Sequence, residues 1–189
     1  MSNYCKYKSN SRNNNKSKSK KETKDRTIFL NEEITDDVAK DIVTKLLKFD
    51  EENHKTIKLY INSPGGSVSA GFAIYDCINY IKSDVSTIAI GRVASMATII
   101  LIGGTKGKRC AFPNSEIMIH EVSSSMLFTK LTEMKERVDH TSILNSRIMR
   151  LIVKNTNRTL AQVRKDTVNK DTWYSAQKAK RYDMIDKIL

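Results

Sequence analysis

The sequence predicts an α/β domain, and three observations carry that prediction. From Arg26 onward, short β-rich runs alternate with helix-patterned stretches of roughly ten to fifteen residues. A turn rich in Gly and Pro, Ser63-Pro64-Gly65-Gly66, separates one such run from the helix pattern that follows. The runs at residues 56–62, 85–90 and 116–120 are short and rich in β-branched residues, as strands are. Strands in this alternation are joined by right-handed crossovers.

The elements follow in order. Residues 26–30 (RTIFL) read as a short buried strand, and residues 31–37 supply turn and cap residues. Residues 38–49 space Val38, Ile42, Val43, Leu46 and Leu47 along one helical face. Residues 56–62 (TIKLYIN) alternate as a strand, and the Ser63–Gly66 turn leads to a helix over 70–81. The strand at 85–90 runs into Gly91 and then a small-residue helix from about Ser95. Residues 116–120 (EIMIH) form another strand. Beyond Ser123 one long helix is expected to reach about Asn155, with Leu127, Leu131, Met134, Val138, Leu144, Ile148 and Leu151 on one stripe. Packing on its own core accounts for part of that stripe; a helix so long also projects and packs against something else. A helix and a strand over 175–189 close the chain, and no internal repeat is found.

Bulk properties narrow the function classes. The length of 189 residues suits one domain. No run approaches the roughly 18 apolar residues of a membrane span, so a membrane partner is not expected. Cys5, Cys77 and Cys110 are odd in number and lack CxxC spacing, which argues against a disulfide framework or a zinc site and for a reducing compartment. The net charge of +12 suggests nucleic acid until it is located: residues 1–26 carry +7, leaving +5 for the other 163. The basicity is mainly a tail property, so no nucleic-acid partner is expected. Residues 1–25, rich in Asn, Ser and Lys, lack apolar periodicity and are expected to be disordered, with residues 26–189 as the domain. Without an apolar h-region the tail is not a secretory signal; it fits a transit remnant better. That favours an organelle lumen such as the plastid stroma, with the cytoplasm as the alternative.

Few residues are placed for chemistry. Ser95 follows a strand and a Gly-containing turn and opens a helix, the setting in which a serine is presented beside free backbone N–H groups. The local string Gly91-Arg-Val-Ala-Ser95-Met-Ala is not a G-x-S-x-G elbow. His120 ends a strand and offers an imidazole to take the serine proton, although taken alone a hydrogen-bonded core histidine explains it more readily. His54 and His140 receive no role. Gly65 and Gly66 let the backbone approach a ligand closely, and an N–H there can serve an oxyanion.

Taken jointly, residues 61–120 (INSPGGSVSAGF through NSEIMIH) resemble the proteolytic subunits of Clp proteases, the ClpP family, and the likeness extends over about 26–189. The resemblance implies Ser95 as nucleophile, His120 as general base, and the backbone N–H groups of Gly66 and Met96 as oxyanion donors. It implies the ClpP/crotonase-like spiral of repeated ββα units with a protruding long helix. It also implies two stacked seven-membered rings (a tetradecamer) of this chain or related Clp subunits, interlocked by the helix near 127–152. Unfolded polypeptides would be fed in by an ATP-driven AAA+ unfoldase, with no cofactor on this subunit.

The sequence departs from the family's pattern in places. After His120 the family continues Gln-Pro-Leu-Gly-Gly, whereas Glu121-Val-Ser-Ser-Ser stands here, in a segment that holds substrate as an added strand. Ala97 replaces a usual Gly, Lys58 a common aromatic of the unfoldase-docking surface, and the Lys/Asn-rich tail the usual axial segment. For the triad acid, anchoring on Lys165-Asp166-Thr167 selects Lys170, while anchoring on Ser175-Ala176 selects Asp171 with one extra residue near Val168. Asp171 is preferred, because a carboxylate stabilises an imidazolium and an ammonium opposes it. An active serine endopeptidase is the leading expectation, a catalytically silent ring subunit the second, and crotonase-like acyl-CoA chemistry a distant third.

Overall fold

The computed structural model describes residues 26–123 and 130–189. The expected disorder of 1–25, and Leu127 of the long stripe, lie outside the described residues.

The first strand, β1 (Thr27–Leu30), pairs in parallel with β2 (Ile57–Ser63), with helix α1 (Asp36–Glu52) as the crossover. Thr35 caps α1 by accepting from the Val38 N–H, and Asp36 and Asp37 complement the helix dipole. The buried face is Ala39, Ile42 and Leu46, whereas Leu47 is 39% exposed, so the apolar stripe is narrower than its sequence pattern. Helix α2 (Val68–Tyr80) leads to β3 (Val85–Ala94), which pairs in parallel with β2. The sequence places the end of this strand at Ile90; instead it continues through a bulge. Between Ile61↔Ala89 and Ser63↔Val93, β3 holds two residues more than β2. Gly91 takes φ +66 there, and the Asn62 side-chain Oδ1 accepts the Arg92 N–H at 3.1 Å.

The bulge divides β3 between two neighbours. Its first half pairs with β4 (Cys110–Ala111), which carries β7 (Lys187–Ile188) on its far side. Its last three residues pair in parallel with β5 (Glu116–Ile119), which takes β6 (Thr172–Ser175) antiparallel. Helix α3 (Met96–Ile102) is buried all round at the centre of the core. Cys77 and Cys110 are free and buried, and burial pushes both thiols upward. No helix among the described residues is long and apolar enough to cross a membrane.

The long helix, α4 (Leu131–Asn155), is two structures in one. Ile148, Met149 and Ile152 pack into the core. All of residues 131–140 are exposed, including Leu131 at 82%, Met134 and Val138. Helix α5 (Leu160–Thr167) follows, opened by a Thr159/Gln162 capping box, and α6 (Ala176–Arg181) follows β6.

Two charged clusters hold the periphery. Arg109, 1% exposed, donates to Asp186 at 2.8 and 3.1 Å, to Asp183 at 3.1 Å and to the Asn155 carbonyl at 2.7 Å. It thereby ties the end of α4 to the last strand. At the other sheet edge, Arg26 donates to the carbonyls of Phe49, Asn53 and Lys55 at the end of α1. Beside it, burial opposes the charge on Asp50, but the Ser83 hydroxyl and N–H, the His54 ring and the Lys82 N–H overcome that cost. They take its carboxyl from the ordinary 3.8 to about 2. A folded pKa below the unfolded one stabilises above the unfolded value and is lost as pH falls through the folded one. Asp50→Asn is therefore expected to lower the thermal midpoint near neutral pH, with variant and wild type converging as pH drops from about 4 towards 2.

Candidate active site

Topology brings three distant residues to one point. Ser95 stands one residue beyond β3 and His120 one residue beyond β5, on adjacent parallel strands. Both therefore emerge at the carboxyl end of the sheet, where α/β proteins place ligands. The β5–β6 register pairs Ile119 with Thr172, so the next antiparallel pair is His120 opposite Asp171.

The side chains meet accordingly. His120 Nε2 lies 2.7 Å from Ser95 Oγ, and its Nδ1 lies 3.3 Å from an Asp171 carboxylate oxygen. With the Nδ1 proton towards Asp171, Nε2 is left to accept from the serine. Asp171 remains 60% exposed, so its charge is screened and the orienting contact is a loose one. Lys170, the residue the other register selects, is exposed, and the ion pair to His120 comes from its neighbour. In the loop before Asp171, Asn169 takes φ +58, a conformation Asn tolerates.

Ser95 itself has φ +56 and ψ −126, a region unfavourable for a side-chain-bearing residue. Its surroundings impose the turn. The Ser95 N–H donates to the Met118 carbonyl at 3.1 Å, and the buried Thr98 hydroxyl lies 2.7 Å from that carbonyl and 3.1 Å from that of Val93. Gly65 closes over it: a Cβ at 65 would lie 2.7 Å from Ser95 Cβ and 3.0 Å from the Met96 nitrogen.

Among the described residues, two N–H groups meet no acceptor and can serve an oxyanion. Met96 is the first residue of α3, so its N–H has no carbonyl one turn back. The bridge between Ile34 and the Gly65-Gly66 turn uses the Gly65 carbonyl and the Ser67 N–H, which leaves the Gly66 N–H unspent there. Gly66, Ser95, Met96 and His120 line one small cavity of about 60 Å³, whose remaining wall is Val68, Ile99, Ile119, Val122, Ser123, Ile148 and Ile152. Among the described residues no cluster of His, Cys, Asp and Glu could hold a metal ion.

Sequence reasoning missed several supports of this site. Thr98 reads only as a polar interruption in an apolar run, because its partners lie on two other strands. Asn145 of α4 accepts from the Val122 N–H and donates to the Glu121 carboxylate, both at 3.3 Å, fastening the segment after His120 to the helix. The signal for helix α5 in the sequence is the capping-box spacing Thr159-x-x-Gln162. His54 pairs with Asp50 at 3.1 Å, and His140 lies exposed on α4.

Comparison with known families agrees with the geometry. The model of the Clp protease family matches residues 10–189, almost the whole chain. A mixed α/β fold with a parallel sheet, a Ser–His pair at the sheet's carboxyl end and that match together make this chain a member of the Clp protease family.

Proposed function

We propose that the chain is a serine endopeptidase subunit that cleaves unfolded polypeptides inside a chamber built from copies of itself or of related Clp subunits. The carrying observation is the 2.7 Å contact between Ser95 Oγ and His120 Nε2, aligned with Asp171 on the far side of the ring. In the proposed reaction His120 takes the Ser95 proton as Oγ bonds to the scissile carbonyl carbon. The oxyanion is received by the N–H groups of Gly66 and Met96. The C–N bond breaks as His120 returns the proton to the leaving amine. Water, deprotonated by the same imidazole, then hydrolyses the acyl-enzyme. The aliphatic wall of the cavity favours an apolar side chain next to the scissile bond.

The hydrolysis needs no cofactor on this subunit; ATP is consumed by a partner AAA+ unfoldase, and neither nucleic acid nor a membrane is a partner. An organelle lumen such as the plastid stroma is the proposed setting, on the strength of the basic, Ser-rich leader. A second reading, a catalytically silent ring subunit, draws on the exposure of Asp171 and its long contact. A fluorophosphonate probe separates the two, because only an activated serine attacks it. Peptide mapping of the assembled protein is expected to find the adduct on Ser95. Resistance to the probe, alone and mixed with other Clp subunits, selects the silent reading.

Assembly is the companion proposal. Leu131, Met134 and Val138 are exposed on the first turns of α4, and a helix–helix contact between rings would bury them. Sedimentation at micromolar concentration is expected to show a particle many times 21.5 kDa. Replacing Leu131 and Met134 by Asp should reduce the order of assembly and leave the fold intact, as judged by circular dichroism. A sharp monomer peak from the unmodified chain, with and without other Clp subunits, would sink the idea.

A further inference from the structure

Among the described residues, no side chain other than His120 holds the acid of the candidate triad. Asp171 is 60% exposed, and among the described residues its polar contact is the 3.3 Å approach to His120. The three residues before it, Val168, Asn169 and Lys170, are exposed as well. Such a loop leaves a carboxylate mobile unless its ends are fixed, and the structure fixes them from behind. The Thr172 hydroxyl, one residue beyond Asp171, donates to the Asp166 carbonyl at 2.5 Å, closing the neck of the loop. That carbonyl lies in the last turn of α5, where carbonyls lack helical partners. The Asp166 carboxylate in turn accepts from the Tyr182 hydroxyl at 3.0 Å.

Tyr182 is a rigid post for this purpose. It is 4% exposed, with the Arg158 guanidinium 4.4 Å from its ring centre and Tyr174 set edge-on at 5.0 Å. Burial pushes its phenol far above the ordinary range, with Tyr174 and Asp166 adding to the effect, so the hydroxyl remains a donor. The chain of contacts runs from the core through Tyr182, Asp166 and Thr172 to the backbone that carries Asp171.

We infer that Thr172, Asp166 and Tyr182 are positioning residues that hold Asp171 against His120, an inference that rests on the triad reading above. None of the three touches the reacting atoms. Their effect passes through one carboxylate, and a displacement of about 1 Å at such a contact can cost up to about 100-fold.

Thr172→Val keeps the shape and removes the hydroxyl. Two readouts on the assembled protein are needed. With ¹⁵N-histidine labelling, NMR is expected to show a protected Nδ1 proton on His120 in the wild type, lost in Thr172→Val and in Asp171→Asn and kept in Thr172→Ser. The maximal rate of fluorophosphonate labelling should fall between about 10- and 100-fold in Thr172→Val, with half-saturation unchanged, and recover in Thr172→Ser. In an Asp171→Asn background the same substitution should cost nothing further, since the carboxylate it positions is gone. Tyr182→Phe should reproduce the loss in weaker form and serves if Thr172→Val assembles poorly. A Thr172→Val protein that retains both the Nδ1 signal and the labelling rate overturns the inference. So does an equal loss in the Asp171→Asn background. A wild type that shows the signal, loses it in Thr172→Val and never labels would leave the positioning intact and refute the peptidase reading alone.

Discussion

Ser95→Ala should abolish turnover of unfolded polypeptide by the assembled protein, and His120→Ala should do nearly as much, each by about 10⁶-fold. The near-equality is the informative part. Nucleophile and base act as one unit, so losing either removes the whole proton-coupled attack and leaves the weak contribution of the oxyanion donors. A structural histidine would behave otherwise, lowering stability with turnover retained in the molecules that remain folded. Asp171→Asn is expected to leave the geometry in place but disfavour the right imidazole tautomer, at about 10⁴-fold by analogy with better-known serine proteases. Because Asp171 is largely exposed, a smaller loss would mean that solvent shares its task. Lys170→Ala should be close to neutral. Should Lys170→Ala and Asp171→Asn behave alike, the acid has been misplaced.

The largest loss of stability is expected from Arg109→Leu. Arg109 is 1% exposed, with its guanidinium divided among Asp186, Asp183 and the Asn155 carbonyl. Removing it strands a carboxylate that is only 13% exposed, and breaking one side of a buried pair costs about 3–5 kcal/mol. For a chain of this size that corresponds to a fall of about 6–20 °C in the thermal midpoint. The pH dependence has a definite sign. Burial opposes the charge on Asp186, but the Arg109 side chain and backbone N–H hold its carboxyl below the usual carboxylate range. Its stabilisation is therefore full above that range and lost as pH falls through the lowered value. The gap between wild type and variant should be widest near neutral pH and should narrow in acid. A gap that is constant with pH would assign the loss to packing.

The elements that were legible in the sequence are those with a long period or a strong boundary. Helix α1 announced itself through Ile42 and Leu46, and the turn before α2 through two adjacent glycines. Ser95 was legible because a strand, a glycine and a run of small residues surround it. What stayed hidden depends on partners far along the chain. The bulge at Gly91 requires Asn62 on another strand to satisfy the Arg92 N–H. Strands β4 and β7 are two residues each, and no periodicity can show in so few; Arg109 and Asp186 join them from 77 residues apart. The choice between Lys170 and Asp171 could not be made by counting either. The antiparallel register of β5 and β6 brings Asp171 rather than Lys170 opposite His120, and register is a property of two strands. The stripe on α4 was visible as apolar, but its exposed half needs the fold before it can be seen to face away.

The three strand ends that carry Ser95, His120 and Asp171 also impose an order in time. The first two sit on neighbouring parallel strands and can meet once residues up to 120 have been made. The third lies 51 residues further on, beyond the whole of α4 and α5. At synthesis rates of about 5–20 residues per second, it follows roughly 3–10 s later. During that interval the nascent chain holds a serine and a histidine with no carboxylate to select the tautomer. Part of the packing around α3 is also missing until α4 arrives, since Ile148 and Ile152 wall the cavity. On the proposed peptidase reading, a reaction centre completed from the last third of the chain lacks its acid for as long as that third is still being made.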